Sequence, residues 1–443
     1  MTSSLTRRGF LATGLGVAAT AGLAACGGSG SSGVPGSNQA PAGDGGAAGY
    51  DGPAVTLQFW NGFTGGDGAF MKKLVTQFQT EHQNIKISMN TMQWADYYAK
   101  LPTAVSAGQG PEIAVMHVDS VATNAARRVI QPLDDVAAAL KLSEADFAPV
   151  PWKAGIFQDK RYAIPLDVHP LAFYYNKTLM EQAGLDPEKP PMTADEYGAA
   201  LDKLKAKGIQ GHWATPFPFT GALTVQSLIW QFGGEVFSPD GKKATFADEA
   251  GIKAITWYTD LIKNGHSPSK IAQDADNVAF QNNKNAFIWN GIWNIGTLKE
   301  KASLKWGVAA LPDIGGKKAA WAGSHQFVLP TLKTPDQNKS TAARVFINWI
   351  SQKSLEWAKG GQVPARNEVR ESAEFKALKE QATIGEQIND LHFPPALPGI
   401  GDALTEFNKG VTAAVNGTDV QTAMSNAAGR ADQILMANEK KYA

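Results

Sequence analysis

The chain has 443 residues, 43% of them hydrophobic and 19% charged, with 41 Lys plus Arg against 41 Asp plus Glu. That length predicts two or three domains, and the mix excludes a disordered or collagen-like protein. Balanced charge argues against a nucleic-acid binder, and a single Cys excludes both a disulfide framework and a thiolate zinc site within one chain.

At the N-terminus, Arg7 and Arg8 precede Phe10 and Leu11. The apolar stretch over residues 11–25 is rich in Gly and Ala and is short of the roughly 20 apolar residues that a membrane span needs. The pattern resembles a twin-arginine export signal. Leu23-Ala24-Ala25-Cys26 resembles a bacterial lipobox, in which a Cys after small residues is lipidated and becomes the new N-terminus. An ordinary secretory signal with an incidental Cys is the alternative. Residues 1–25 are therefore expected to be removed, leaving Cys26 as a lipid anchor at the outer face of the cell membrane. Residues 26–53 are too poor in apolar side chains to order themselves. As a Gly- and Ser-rich tether they reach roughly 30 Å.

The folded part is expected to start near Ala54. Val55 to Trp60 alternates as a strand does. Phe70, Met71, Leu74, Val75 and Phe78 recur at helical spacing, and Ile85, Ile87 and Met89 alternate again. A helix through Trp94, Tyr97, Tyr98 and Leu101 is stopped by Gly108-Gln109-Gly110-Pro111. Ile113 to Met116 reads as a buried strand ending at His117 and Asp119. This β-α-β-α-β order predicts an α/β lobe with a mainly parallel sheet, whose ligands sit beyond the strand C-termini. Residues 60–67 and 117–120 then share one mouth. A second α/β series follows, with helices near 193–207, 222–232 and 249–264. Thr193 and Glu196 form a capping box at the first of these. Residues 285–289 and 327–329 read as strands, Phe346 to Trp357 as an amphipathic helix, and the chain beyond Pro364 as mostly helical.

Leu166-Asp167, Ala172-Phe173-Tyr174-Tyr175-Asn176-Lys177 and Met180 form a recognisable pattern, with Gln182 a minor departure. It resembles the extracellular solute-binding proteins of ATP-binding-cassette importers, specifically the carbohydrate type. Gly110-Pro111-Glu112-Ile113, Gly291-Ile292-Trp293 and Gly361-x-Val363-Pro364-Ala365-Arg366 match as well, and the likeness covers nearly all of residues 54–443. The resemblance implies a two-lobed periplasmic-binding-protein-like α/β fold. The N-terminal lobe would take residues 54–165 plus 322–362 and the C-terminal lobe 166–321 plus 363–443. Hinge crossovers are expected near 163–171, 312–322 and 358–364, with a cleft that closes on solute. The implied partners are a small-molecule solute, in the first place a sugar, the permease subunits of an ABC transporter, and the membrane through the lipid anchor. The chain is expected to be a monomer that binds no nucleic acid.

Sugars offer hydroxyl arrays and weakly apolar faces, so their sites need stacking rings and planar polar groups. The candidate ligand-binding residues are Trp60 at the first strand end, Asp119 after the third strand, His169 beside the first hinge with Asp167 near it, Trp230, Trp293 in Gly-x-Trp, Ser324 and His325 after the second crossover, and Arg366 near the third. Each also has an ordinary structural explanation, since buried Trp, paired His and helix-capping Asp are common. No metal site and no cofactor are expected: Asp274-x-Asp276-Asn277 lacks the glycine and glutamate of a calcium loop, and 12 Trp against 7 His favour stacking over metal chemistry. Nor does the chain carry a P-loop or a catalytic motif. Within the binding class, a glycerophosphodiester or another polar metabolite is the second ligand. A secreted glycoside hydrolase and a surface adhesion protein are the readings of other classes.

Overall fold

In the computed structural model, residues 49–442 are described; the export signal, the lipobox with Cys26 and most of the tether lie outside them. Strand β1 (Val55–Asn61), helix α1 (Asp67–Glu81), β2 (Ile85–Thr91), α2 (Trp94–Ala107), β3 (Ile113–His117) and α3 (Val118–Ala126) follow the alternation expected of them. Helix α2 ends on Gly108 at φ 77, a left-handed cap that glycine adopts without Cβ strain. Next come β4 (Ile164–Pro165), β5 (Asp167–Asn176), α4 (Ala194–Ala206), α5 (Leu223–Gln231) and α6 (Glu249–Lys263). The capping box at Thr193 and Glu196 is formed. Then follow β6 (Phe287–Gly291), β7 (Trp306–Ala309), β8 (Ala320–Gly323), β9 (His325–Val328), α7 (Gln337–Gln352) and α8 (Ser354–Ala358). The chain ends with β10 (Val363–Pro364), β11 (Leu391–His392), α9 (Ile400–Val415) and α10 (Val420–Tyr442).

These strands build two open sheets. The first has the order β2-β1-β3-β9-β4, with β1 parallel to both β2 and β3, and β9 antiparallel to β3 and β4. Leu57, Phe59, Val115 and Phe327 face a core closed by α1 and α7, while Trp60, Ala114, Met116 and Val328 face α2 and α3. The second sheet is centred on β5, which pairs with β6, β7, β8 and β10; β11 extends it beyond β8. All ten residues of β5 are buried. Leu171, Phe173 and Tyr175 face the larger core with α4 to α6 and the last two helices, and Val168, Ala172 and Tyr174 face a smaller one. Covering both sheet faces calls for a run of apolar residues, as β5 has from Pro170 to Tyr175.

The chain passes from one sheet to the other at three places. The first is Leu166, between β4 and β5, and the third is residues 359–362, between α8 and β10. The second is Ser324, just beyond the 312–322 expected from sequence. The reason is local: Ala322 and Gly323 still pair with Pro170 and His169 of the second sheet, and only His325 joins His117 in the first. Among the described residues, no helix is long and apolar enough to cross a membrane.

One buried titratable group in the second core predicts a pH response. His212 is buried with its Nδ1 2.9 Å from the Tyr197 hydroxyl, and burial pushes its pKa down to about 3. The unfolded chain takes up a proton there near pH 6.5 and the folded chain does not. Folding stability from this group is therefore full above pH 6.5 and falls as the pH drops toward 3. The expected slope is up to one proton, about 1.4 kcal/mol per pH unit. Denaturant unfolding of wild type and His212→Gln between pH 4 and 7 should show a shallower pH dependence in the variant. Identical slopes would refute a neutral buried His212.

Candidate functional site

The three passages between the sheets converge on one carboxylate. Asp167, the first residue of β5, is fully buried. Its Oδ1 accepts the His325 backbone N–H at 2.9 Å and lies 3.0 Å from His169 Nδ1. Its Oδ2 lies 2.7 Å from His325 Nδ1 and accepts the Trp357 indole N–H at 2.7 Å. Burial opposes its ionisation, but the adjacent His325 and the hydrogen bonds from both imidazoles prevail and hold the carboxyl well below the usual range. His117 ends β3 beside the pair. Burial, reinforced by the neighbouring imidazoles, keeps His117 neutral and lowers His169 to about 4.

Aromatic side chains ring this seam. Phe63, in the loop after β1, lies 4.9 Å from both His325 and Trp357, ring centre to ring centre. Trp94 stands 4.2 Å from His117 and rests on Gly62, where a Cβ would lie 2.1 Å from its ring. From the second sheet, Trp293 and Trp321 each approach His169 at 6.0 Å. The two sides touch: a methyl at Gly66 would lie 3.3 Å from the Trp293 carbonyl oxygen. Trp321 Nε1, Asn61 Nδ2 and Asn294 Nδ2 are buried donors with no hydrogen-bond partner among the described residues, and Asp67 Oδ1 is an acceptor in the same condition. A buried polar atom without a partner is costly, so a seam holding several suits a polar guest. Asp67 and Asp119 are both raised by burial, Asp119 to about 6.

Of the residues singled out from sequence, His169, Trp293, Ser324 and His325 meet at the seam. Ser324 is the passage residue itself; its carbonyl accepts the Val118 N–H and its hydroxyl the Gln326 amide. Asp119 occupies the first turn of α3, half-buried. Trp230 donates its indole N–H to Glu235 and stacks on His392 at 4.8 Å, one turn from Ser227, which holds the Trp321 N–H. Two expectations are corrected. Trp60 is not at the mouth; Phe59 and Trp60 point to opposite faces of a sheet covered on both, so Trp60 packs with Tyr97, Leu101 and Met116 under the Lys100 ammonium. Phe63 takes the mouth position instead. Arg366 donates its Nε–H to Ser351 Oγ at 2.9 Å and lies over the Phe147 ring, away from the residues that meet at the seam.

Sequence reasoning passed over Trp94, Trp321 and His117 as site residues. Trp94 reads as one more apolar residue of a helix, and Trp321 sits on a strand too short to show alternation. The sequence puts His117 at the mouth, but nothing in it ties that residue to His169 and His325, which lie on different strands.

Residues 73–383 match the model of a family described as bacterial extracellular solute-binding protein. The sn-glycerol-3-phosphate-binding periplasmic protein UgpB of Shigella dysenteriae serotype 1 is 26% identical over 332 residues, which cover 70% of this chain and 74% of that protein. An ABC transporter solute-binding protein of Thermotoga lettingae TMO, bound with alpha-D-tagatose, superposes with a TM-score of 0.76 at 24% identity, covering 86% of this chain and 100% of that one. The GacH receptor of Streptomyces glaucescens GLA.O, solved unliganded and with acarbose, gives 0.78 at 20% identity over 87% and 99%. The structural likenesses carry the two-lobed fold.

The carboxylate hub predicts a large effect of one substitution. Asp167→Ala leaves two buried imidazoles, a backbone N–H and the Trp357 indole without their acceptor. A loss of about 3–5 kcal/mol in unfolding free energy is expected, measured by urea denaturation at neutral pH. A loss below 1 kcal/mol would show that the hub is not what ties the three passages together.

Proposed function

The chain belongs to the bacterial extracellular solute-binding proteins, and we propose that it captures a carbohydrate, a mono- or oligosaccharide, between its two lobes and delivers it to the permease of an ABC transporter. The observation that carries this reading is the lining of the seam, where Trp94, Trp293 and Trp321 stand beside buried donors without partners. Indole faces suit the weakly apolar faces of a sugar ring, and the unpaired amide and indole N–H groups suit its hydroxyls. Solute that touches both lobes favours their closed arrangement only by as much as it binds that arrangement better. The lobe division, as expected from sequence except that Ala322 and Gly323 go with the second sheet, supplies the two bodies of that motion, and the passages at Leu166, Ser324 and residues 359–362 its hinges. Anchoring through a lipidated Cys26 keeps the protein beside its permease, and the protein works by stoichiometric capture without turnover.

A second ligand class has one finding in its favour, the name of the Shigella dysenteriae relative, a sn-glycerol-3-phosphate-binding protein. Against it stands the ionised Asp167 at the centre of the seam, which repels a phosphate, while the Arg366 guanidinium is engaged with Ser351 and Phe147.

Thermal unfolding against a panel of mono- and oligosaccharides and glycerophosphodiesters tests the reading. A sugar at a hundredfold excess over its Kd should stabilise by about 2.7 kcal/mol and be recovered intact. Trp293→Ala should then weaken binding at least tenfold, about 1.4 kcal/mol. A shift with glycerophosphodiesters alone replaces the ligand class, and released cleavage product replaces the binding function with a hydrolase. For the anchor, Cys26→Ala should abolish labelling by a radioactive fatty acid and move the protein from the membrane fraction to the medium; unchanged labelling would refute lipidation at Cys26.

A further inference from the structure

Three imidazoles from three strands face one another at the seam. His117 closes β3, His169 lies in β5 and His325 opens β9, so two come from the first sheet and one from the second. Their ring centres are 5.6, 5.2 and 4.2 Å apart, and one ring nitrogen of each lies within 4.8 Å of the others. Tetrahedral zinc holds imidazole nitrogens at about 2.0–2.1 Å, so the three rings draw closer together on sharing one ion.

The other side of each ring is already occupied. His169 Nδ1 and His325 Nδ1 face the two oxygens of Asp167 at 3.0 and 2.7 Å. A carboxylate only accepts, so both Nδ1 atoms carry a proton, and the nitrogen of each ring turned away from Asp167 is Nε2. His117 Nδ1 lies 3.0 Å from the Tyr98 hydroxyl. Nε2 is therefore the nitrogen each ring has left to coordinate with. This is how metal-ligating imidazoles are held elsewhere: the nitrogen away from the ion donates to a carboxylate, a carbonyl or another oxygen, which fixes the tautomer and raises the basicity of the ligand. Gly323 makes room for the arrangement, because a Cβ there would lie 2.3 Å from His169 Nε2.

We propose that His117, His169 and His325 form a three-imidazole binding site for a divalent transition metal ion of the zinc type, with Asp167 as the carboxylate that orients two of the ligands. Imidazole ligands suit zinc and its neighbours and are poor partners for magnesium and calcium. Three protein ligands leave a fourth position open, as in zinc sites that receive water or a substrate oxygen. The ion joins β3 and β9 of the first sheet to β5 of the second, directly at two of the three passages between them. The site stands on the imidazole geometry alone and is independent of which solute the cleft takes.

The test uses the full chain, purified and stripped with a chelator. Titration with zinc chloride by calorimetry should give one ion per chain with a Kd of micromolar or tighter, unmatched by magnesium or calcium chloride. Cobalt(II) chloride should give the visible absorption of a four-coordinate site. His117→Gln and His325→Gln should each weaken zinc at least tenfold and alter the cobalt spectrum, while His212→Gln, at a histidine that packs against Tyr197 and Trp289 instead, should leave both unchanged. His117 is half-buried at a strand end, so its variant is the one expected to fold; circular dichroism checks that it does. Absence of saturable one-to-one binding by the wild type overturns the proposal. So does zinc binding that His117→Gln and His325→Gln leave intact, which would assign the ion to other groups.

Discussion

An ionised carboxylate taken out of water is stable only where charge and hydrogen bonds replace what water gave it. Asp167 meets that condition with four hydrogen bonds from three residues, one residue beside each passage of the chain between lobes. His169 lies two residues on in the same strand, just past the first passage. His325, through its ring and its backbone N–H, lies just past the second. Trp357 sits in the short helix before the third. The three passages are thus registered against one another by a single side chain. Because the pairing depends on distances of 2.7 to 3.0 Å, the strand register on both sides is fixed with it.

The same hub shapes the site. Holding His169 and His325 by their Nδ1 atoms turns their opposite edges toward His117, and the indoles of Trp94, Trp293 and Trp321 close around them. The seam therefore combines apolar ring faces and imidazoles with an ionised carboxylate whose oxygens already have their hydrogen-bond partners. That combination favours a neutral, hydroxyl-rich guest over an anion. Arg366 illustrates how packing decides such matters: with its guanidinium over Phe147 and its Nε on Ser351, it stabilises the third passage instead of waiting for a ligand.

Much of this was legible along the chain. Period-two runs such as Val55 to Trp60 and period-3.6 runs such as Phe70 to Phe78 became the strands and helices they predict, because both signals report which face is buried and burial is what stabilises each element. Thr193 and Glu196 marked a helix start for an equally local reason. The second passage was placed slightly early because the pairing of Ala322 and Gly323 with β5 is a contact between segments far apart in sequence. Trp60 failed as a mouth residue for a related reason. Alternation says that Phe59 and Trp60 point opposite ways, but not that both sides of the sheet are covered.

By itself, then, the sequence determined the order of the elements, the α/β class and the family resemblance, since each rests on neighbours within a turn, a strand or a short motif. The tertiary structure alone decided which side chains share the seam. His117, His169 and His325 are solitary histidines in sequence, each more simply explained as a structural residue. They become one cluster only because β3, β5 and β9 are brought edge to edge around Asp167, and no local spacing encodes a contact made by three separate crossings of the chain.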